Sequence, residues 1–277
     1  MIFVLNDKRG NDMIKLIMTD MDGTLLDEKG ELPIELGEVV PKLRDKGIVF
    51  AAASGRQYYK LLDTFDAYKD EMLFLAENGT YVVYKGQELF SNGMSKEMVS
   101  DILKIARNIP DTHILISGKK KGYCEAPTTK FINELELYYA RYEVVEDFLS
   151  VDDDFLKIAI FDDKGAEHNS SHYFNEYRDQ LQVSVSAKHW LDIMNRGANK
   201  GVAVKQVQKH FGFTGEETMV FGDYLNDLEM MSAAYHSYAM ENAHPDVKKA
   251  ARFMAKTNRE HGVIQVIQEK VLGELKE

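Results

Sequence analysis

A short apolar stretch that ends on two acidic residues sets the strongest limit on the fold of this chain. Residues 16–18 (Leu-Ile-Met) have the composition of a buried parallel strand, and Asp20 and Asp22 follow directly, ahead of Gly23. A glycine at this place lets the backbone turn sharply after the acids. Because parallel sheets carry their chemistry at the carboxyl ends of the strands, the stretch predicts an α/β sheet with carboxylates at that edge.

The two carboxylates have a specific chemical use. A carboxylate can accept a phosphoryl group when a metal ion neutralises the phosphoryl oxygens and a second acid protonates the leaving alcohol. Asp20 and Asp22 can divide these roles if their environments separate their pKa values. The alternative for this stretch alone is a surface turn or a calcium loop, because turns favour Asp and Gly.

A second apolar run, residues 48–53, ends in Ser54 and Gly55 and precedes a predicted helix from about Gln57 to Ala67. Free backbone N–H groups at the start of a helix, together with the Ser54 hydroxyl, would bind phosphate. The alternative is that Ser54 only caps the helix. Arg56 has two possible roles as well, contact with a substrate anion or an ion pair with a structural carboxylate.

Two later strands end in the same way. Residues 190–194 are predicted as a strand ahead of a polar turn and of a helix with Lys200 in its first turn. A cation there opposes the helix dipole, so the pattern predicts an anion nearby, although a lone lysine is usually solvated. Residues 218–221 are a further predicted strand, and they deliver Asp223, Asn226 and Asp227 to a strand end or a surface turn.

The order of elements predicts two domains. Strands and helices alternate up to residue 76, which indicates a right-handed parallel sheet. From about residue 81 the chain instead predicts hairpins and helices, among them a long helix from about Thr129 to Leu149 and another from Ala166 to Leu181, which indicates an inserted α+β domain. The expected division is a core in residues 1–82 and 189–277, with 1–12 as an extension and Met13 as a possible start, and an inserted domain in 83–188.

Composition narrows the possible partners and location. The formal net charge of −11 argues against nucleic acid and against an anionic membrane surface as partners. The densest basic run, residues 119–121, is predicted as a hairpin tip. A single cysteine, Cys124, excludes an intrachain disulfide and a cysteine-based zinc cage, and it fits a reducing cytoplasm. No apolar run reaches the length that crosses a bilayer, and the oligomeric state stays open.

Taken together, these stretches resemble the haloacid dehalogenase superfamily of phosphohydrolases. The position and texture of the insertion are similar to the type IIB cap of the Cof-like phosphatases, and the resemblance runs from Met13 to the C-terminus. The matching residues, in the order of the family, are Asp20-Met-Asp22-Gly-Thr24, Ser54-Gly55, Lys200-Gly201, Gly222-Asp223-x-x-Asn226-Asp227, and in the tail Asn242-Ala243 and Thr257-Asn258-x-x-x-Gly262-Val263.

The resemblance implies a Rossmann-like parallel core with an inserted cap, and it implies a role for each matching residue. Asp20 would be the nucleophile and Asp22 the general acid and base. Mg²⁺ would be held by the Asp20 and Asp223 carboxylates and the main-chain carbonyl of Asp22, with Asp227 in support or as a further ligand. The phosphoryl oxygens would be bound by Ser54, Lys200 and Asn226 and by the backbone N–H groups of Met21 and Gly55.

Three functions are therefore compared. The leading prediction is a magnesium-dependent phosphomonoesterase for a small phosphorylated metabolite, such as a sugar phosphate or a phosphorylated cofactor. A phosphomutase would use the same aspartates, and a non-catalytic sensor of a phosphate ligand would keep the fold. The cap should select the substrate, and Lys188 and His189 are candidates there. His168 and His172 are predicted to be surface residues.

Overall fold

The computed structural model describes residues 14–274, and the expected extension (residues 1–12) and Met13 lie outside this range. The strands are β1 (Leu16–Thr19), β2 (Val49–Ala53), β3 (Leu73–Ala76), β4 (Tyr81–Tyr84), β5 (Gln87–Ser91), β6 (Thr112–Gly118), β7 (Gly122–Cys124), β8 (Tyr142–Val144), β9 (Phe155–Asp162), β10 (Leu181–Ala187), β11 (Trp190–Asn195), β12 (Thr218–Gly222), β13 (His236–Met240) and β14 (Phe253–Ala255). The α-helices are α1 (Leu36–Asp45), α2 (Tyr58–Thr64), α3 (Lys96–Ala106), α4 (Thr129–Tyr138), α5 (Lys200–Phe211), α6 (Leu228–Ala233), α7 (Pro245–Ala250) and α8 (Gly262–Ile267).

The core sheet has eight strands in the order β14-β13-β12-β1-β2-β3-β4-β5. All neighbouring pairs from β14 to β3 are parallel, and β4 and β5 add an antiparallel hairpin at one edge. The predicted parallel α/β core is confirmed. Strand β1 lies inside the sheet and all four of its side chains are buried, because helices cover both faces of a parallel sheet.

The cap sheet has six strands in the order β10-β11-β9-β6-β7-β8, and its pairs are antiparallel except for β7 with β8. Successive residues of a strand point to opposite faces. Ile158 and Ile160 of β9 accordingly pack in one cluster with α3, whereas Ala159 and Phe161 pack in another with α4. The face that carries Lys157 and Ala159 is the one that faces the core, since both residues line a pocket between the two sheets.

The domain boundaries expected from the sequence, 83 and 188, do not match the sheets. The hairpin of β4 and β5 continues the core sheet, and β11, expected in the core, pairs with β9 and β10 in the cap. Cap strands therefore occur only between residues 112 and 195 of the described chain. An apolar run identifies a strand, but its partner depends on contacts distant in sequence, which the pattern does not contain.

Two predicted helices are also wrong. The helix expected from Thr129 to Leu149 ends at Tyr138, and strand β8 follows. The Gln57 side chain of the core accepts hydrogen bonds from the N–H groups of Ala140 and Arg141, at 3.2 and 2.9 Å, and so binds the backbone that a longer helix would use internally.

The helix expected from Ala166 to Leu181 is replaced by 3₁₀ turns over Ser170–Tyr177 ahead of β10. The Asp162 carboxylate accepts the N–H of Ser170 at 2.9 Å, and a side chain that binds backbone in this way competes with a regular helix. Among residues 14–274, no helix combines the length and the apolarity that spanning a bilayer requires.

Candidate active site

The polar ends of neighbouring core strands lie side by side at one edge of the sheet. Asp20 follows β1, which pairs with β12 on one side and with β2 on the other. Asp223 follows β12 and Ser54 follows β2, and the N–H of Asp20 donates to the carbonyl of Phe221 at 2.9 Å. The parallel register therefore brings Asp20 close to Asp223, although the two residues are 203 positions apart in the sequence (223 − 20).

Lys200 joins this edge from the first turn of α5. Asn199 caps the helix, because its side chain accepts the N–H of Val202 at 2.8 Å. The Lys200 ammonium is fully buried and donates to Asp20 Oδ1 and to Asp227 Oδ1, each at 2.6 Å. The anion predicted near Lys200 is thus supplied by the carboxylates of Asp20 and Asp227.

The loop after β12 is held by Asp227. Its second carboxylate oxygen, Oδ2, accepts the N–H groups of Asp223 and Tyr224 at 3.0 and 3.2 Å. Asp223 Oδ1 accepts a hydrogen bond from the Thr24 hydroxyl at 3.0 Å. The backbone of Gly23 has φ +78°, and a Cβ at this position would lie 2.3 Å from Asp223 Oδ2, so only glycine leaves room for the carboxylate.

Carboxylate oxygens of Asp20, Asp223 and Asp227 lie within 4.8 Å of one another. Burial raises the pKa of Asp20, helped by repulsion from Asp227, although Lys200 opposes the shift. Burial also raises the pKa of Asp223, and repulsion from Asp20 adds to it. Three carboxylates share one ammonium, so the ionised cluster is short of positive charge, and an oxygen donor set of this kind suits a hard divalent cation.

The Asp22 carboxylate is not one of the three in this cluster. Its carboxylate is half exposed and accepts hydrogen bonds from Arg56 Nε at 3.0 Å and from an Arg56 terminal nitrogen at 2.5 Å. Arg56 also donates to the carbonyl of Leu137 at 3.2 Å and lies over the ring of Tyr138. Arg56 therefore forms an ion pair with a carboxylate of the protein, and this carboxylate belongs to Asp22, the predicted general acid and base. Metal binding by Asp22 through its main-chain carbonyl stays a prediction.

The predicted phosphate-binding residues lie around Asp20. Ser54 is buried and its hydroxyl accepts the N–H of Arg56 at 3.1 Å. Gln57, not Ser54, precedes the first turn of α2, so the alternative that Ser54 is only a helix cap is wrong. The side chain of Met21 packs in the core, and its main-chain carbonyl accepts the N–H of Leu26 at 2.9 Å, so phosphate binding by its N–H group stays a prediction. Asn226 is buried and donates to Asn78 Oδ1 at 3.0 Å.

A pocket between core and cap opens on these residues. The core contributes the two predicted catalytic acids and three of the predicted phosphate-binding residues, Ser54, Gly55 and Asn226, and the cap contributes aromatic and polar side chains. The lining residues are Asp20, Asp22, Ser54, Gly55, Arg56, Tyr138, Tyr139, Lys157, Ala159, Ser186, Ala187, Trp190, Asp192, Tyr224 and Asn226.

The sequence-based interpretation missed Asn78 and the cap residues Lys157, Asp192 and Trp190. Asn78 follows β3, so the strand-end rule that identified Asp20 and Ser54 would have found it too. The cap residues had no comparable signal, because they lie within strands. Lys188 and His189 are absent from the pocket lining.

Other residues singled out in the sequence lie away from the site. Cys124 is buried, and burial raises the pKa of its thiol to about 11. The basic hairpin tip between β6 and β7 is compensated by acids, since Lys119 pairs with Glu88 and Lys121 with Glu143. His168 and His172 have exposed side chains.

Comparisons with known proteins agree with this architecture. Residues 17–267 match the family model of the haloacid dehalogenase-like hydrolases. A 5-amino-6-(5-phospho-D-ribitylamino)uracil phosphatase of Escherichia coli (strain K12) is 34% identical over 262 residues, which cover 94% of this chain and 96% of that protein.

Solved structures agree as well. A crystal structure from Streptococcus mutans UA159 has a TM-score of 0.86 at 32% identity and covers 94% of this chain and 99% of the other. A subclass IIB sugar phosphatase of the superfamily shares the fold, with a TM-score of 0.81 at 20% identity over 94% of this chain and all of the other. The chain therefore belongs to the haloacid dehalogenase-like hydrolases and is a phosphatase of this family.

Proposed function

We propose that the chain is a magnesium-dependent phosphomonoesterase that acts on a small phosphorylated metabolite through an aspartyl-phosphate at Asp20. The observation that carries the proposal is the placement of Asp20 beside Asp223, Asp227 and Lys200, with Asp22 two residues later at the pocket. Mg²⁺ would be held by Asp20, Asp223 and the main-chain carbonyl of Asp22, with Asp227 in support. When bound, it would supply positive charge for the cluster and for the phosphoryl oxygens.

The residues of the chain divide the reaction into two steps. An Asp20 carboxylate oxygen attacks phosphorus while the bond from phosphorus to the ester oxygen breaks, and Asp22 gives its proton to the departing alkoxide. Asp22 then takes a proton from water, the water oxygen attacks phosphorus, and the bond to Asp20 breaks to release phosphate. Lys200, Ser54, Asn226 and backbone N–H groups of Met21 and Gly55 bind the phosphoryl oxygens as charge moves between them.

Arg56 bears on the second acid. It donates two charge-assisted hydrogen bonds to the Asp22 carboxylate. The two bonds fix the direction of the Asp22 carboxylate, so Arg56 sets the orientation from which Asp22 reaches the leaving group.

The pocket supports a metabolite that has both a flat and a hydroxylated part. Tyr138 and Trp190 offer aromatic surface, with ring centroids 5.7 Å apart, and Lys157, Ser186 and Asp192 offer polar groups. The substrate of the Escherichia coli relative combines a uracil ring with a ribityl phosphate. We therefore place phosphorylated sugars, and heterocycles that carry a phosphorylated polyol, first among candidate substrates. A reducing cytoplasmic location stays a prediction from the single cysteine.

The test is a comparison of catalytic efficiencies over a panel of esters in Mg²⁺. The panel contains sugar phosphates, nucleotides, pyridoxal phosphate, flavin mononucleotide and 5-amino-6-(5-phospho-D-ribitylamino)uracil, with p-nitrophenyl phosphate as a general substrate. Asp20→Asn should abolish phosphate release from each. The matched control is Asp66→Asn, which changes a surface aspartate that pairs with Lys69.

Each alternative predicts a different result. Full activity of the Asp20→Asn protein would refute the nucleophile. Isomer formation without phosphate release would indicate a phosphomutase, and tight binding of phosphate ligands without turnover of any ester would indicate a sensor.

A further inference from the structure

Lys157 of the cap is buried against the core. It lies on β9 with a side chain only 3% exposed, and its ammonium donates to the main-chain carbonyl of Gly55 at 2.7 Å. It also pairs with Glu77 Oε2 of the core at 3.0 Å and with Asp192 Oδ2 of the cap at 3.3 Å. A lysine is rarely buried unless it is paired, and here two of its three partners belong to the other domain.

The same cap aspartate is also linked to Asn226 of the proposed phosphate site. Asp192 Oδ2 accepts a hydrogen bond from the Asn78 amide, whose oxygen accepts one from Asn226 at 3.0 Å. Gly55 and Asn226 are both predicted phosphate-binding residues. Each is therefore bonded, directly or through Asn78, to the pair of Lys157 and Asp192.

The core turn that meets this pair has an unusual backbone. Glu77, Asn78 and Gly79 all have positive φ, at 51°, 57° and 85°. Such a conformation costs energy at residues other than glycine and persists only where surrounding contacts enforce it. A Cβ on Gly79 would lie 2.7 Å from the Ala203 side chain and 3.2 Å from Lys200 Cα, so the turn also packs on the first turn of α5.

We propose that Lys157 and Asp192 are positioning residues for phosphoryl transfer: they hold Gly55 and, through Asn78, Asn226 where these groups bind the phosphoryl oxygens. The inference rests on the proposed phosphate-binding roles of Gly55 and Asn226. It concerns the phosphoryl end of the substrate, which every ester shares, although both residues also line the pocket for the leaving group.

The decisive variants are Asp192→Asn, which keeps the shape of the side chain, and Lys157→Met. Each should raise the KM for p-nitrophenyl phosphate and the dissociation constant of inorganic phosphate in Mg²⁺ by about tenfold. Asp192→Asn removes the charge of the group that accepts from Asn78, and Lys157→Met removes the charged donor to Gly55. The factor should be similar for the best ester of the panel. Lys157→Arg, which retains charge and donors, should restore most of the binding.

A double-mutant cycle tests the route through Asn226. In an Asn226→Ala background, Asp192→Asn should raise the dissociation constant of inorganic phosphate less than about threefold, because the side chain that Asp192 positions is already gone. The control is Glu125→Gln, which alters a cap carboxylate paired with Arg107 at 2.8 Å and should change none of these constants.

Three results would overturn the inference. The first is a rise in KM confined to esters with large leaving groups, and the second is a fall in Tm with unchanged phosphate binding. The third is a change in phosphate binding by Asp192→Asn that is as large in the Asn226→Ala protein as in the unchanged protein. Calorimetric titration with inorganic phosphate separates this inference from the proposed function. Normal turnover with unchanged binding in Asp192→Asn would refute only the inference, whereas weakened phosphate binding in a protein that hydrolyses no ester would refute only the function.

Discussion

Two lysines of this molecule, Lys200 in the core and Lys157 in the cap, are both buried between two carboxylates. Lys200 donates to Asp20 and Asp227, each at 2.6 Å, and Lys157 pairs with Glu77 at 3.0 Å and Asp192 at 3.3 Å. The pKa of each lysine is raised: burial lowers it, but attraction to the two acids exceeds that effect. The local chemistry of the two sites is thus nearly the same.

The difference lies in a third carboxylate. Asp223 joins the cluster around Lys200, whereas the amide of Asn78 and the hydroxyl of Tyr139 donate to the acids around Lys157. Neutral donors reach both groups, but the group around Lys200 holds three carboxylates against one ammonium and so still lacks positive charge. Surplus negative charge held in a buried site costs stability unless a ligand relieves it, so it identifies this cluster as the candidate active site.

The largest predicted effect compares the two lysines directly. Lys200→Met should lower the kcat/KM for p-nitrophenyl phosphate at least about 1,000-fold, because it removes a charge that stabilises the transferring phosphoryl group. Lys157→Met should lower it only about tenfold. Steady-state kinetics measure both losses. The control is Lys205→Met, which changes an exposed lysine of α5, the helix that contains Lys200. Equal losses in the two variants would contradict the distinction.

Asp223→Asn should change activity and stability in opposite directions. If Asp223 is a metal ligand, as proposed, its loss should reduce turnover in Mg²⁺ at least about 100-fold. In the absence of metal the same change relieves repulsion with Asp20 and should raise the Tm by about 2–4 °C. Thermal unfolding in the presence of a chelator tests the expected rise in Tm. A lower Tm of the Asp223→Asn protein under this condition would show that the cluster is not short of positive charge.

The stabilisation by Mg²⁺ should depend on pH. Burial raises the pKa values of Asp20 and Asp223 above those of the unfolded chain, so the metal-free folded protein binds more protons. Its stability therefore falls as the pH rises through these raised values, and Mg²⁺ reverses the loss because it favours the ionised acids.

The measurement is the gain in Tm on adding Mg²⁺, which should be larger at about pH 8.5 than at about pH 6. The Asp223→Asn protein should show a smaller increase between the two conditions. The same gain at both pH values in the unchanged protein would contradict the expectation.

The smallest predicted effect concerns Arg56. Arg56→Ala removes the two hydrogen bonds that orient Asp22, and we expect kcat to fall about threefold to tenfold with little change in phosphate binding. Arg44→Ala is the matched control, because Arg44 pairs with Asp45 and Glu71 at the surface. A loss as large as that of Lys200→Met would assign Arg56 to the charge-stabilising group instead.

The sequence alone determined the parallel core and the group of acids at its edge. Apolar runs such as residues 16–18 identify buried strands locally, and parallel strands necessarily present their carboxyl ends together. Asp20, Ser54 and Asp223 could therefore be predicted to meet although they are far apart in the chain. Lys200 does not follow a core strand, because β11 belongs to the cap sheet, and it reaches the site from the start of α5.

Only the tertiary structure decided what faces these residues. Four features depend on contacts between distant segments. They are the sheet that β11 joins, the end of α4 at Tyr138, the pairing of Asp22 with Arg56 and the burial of Lys157 against Gly55. A strand pattern records the alternation of side chains but not the partner that each side chain meets, so the cap half of the site had no signature in the sequence.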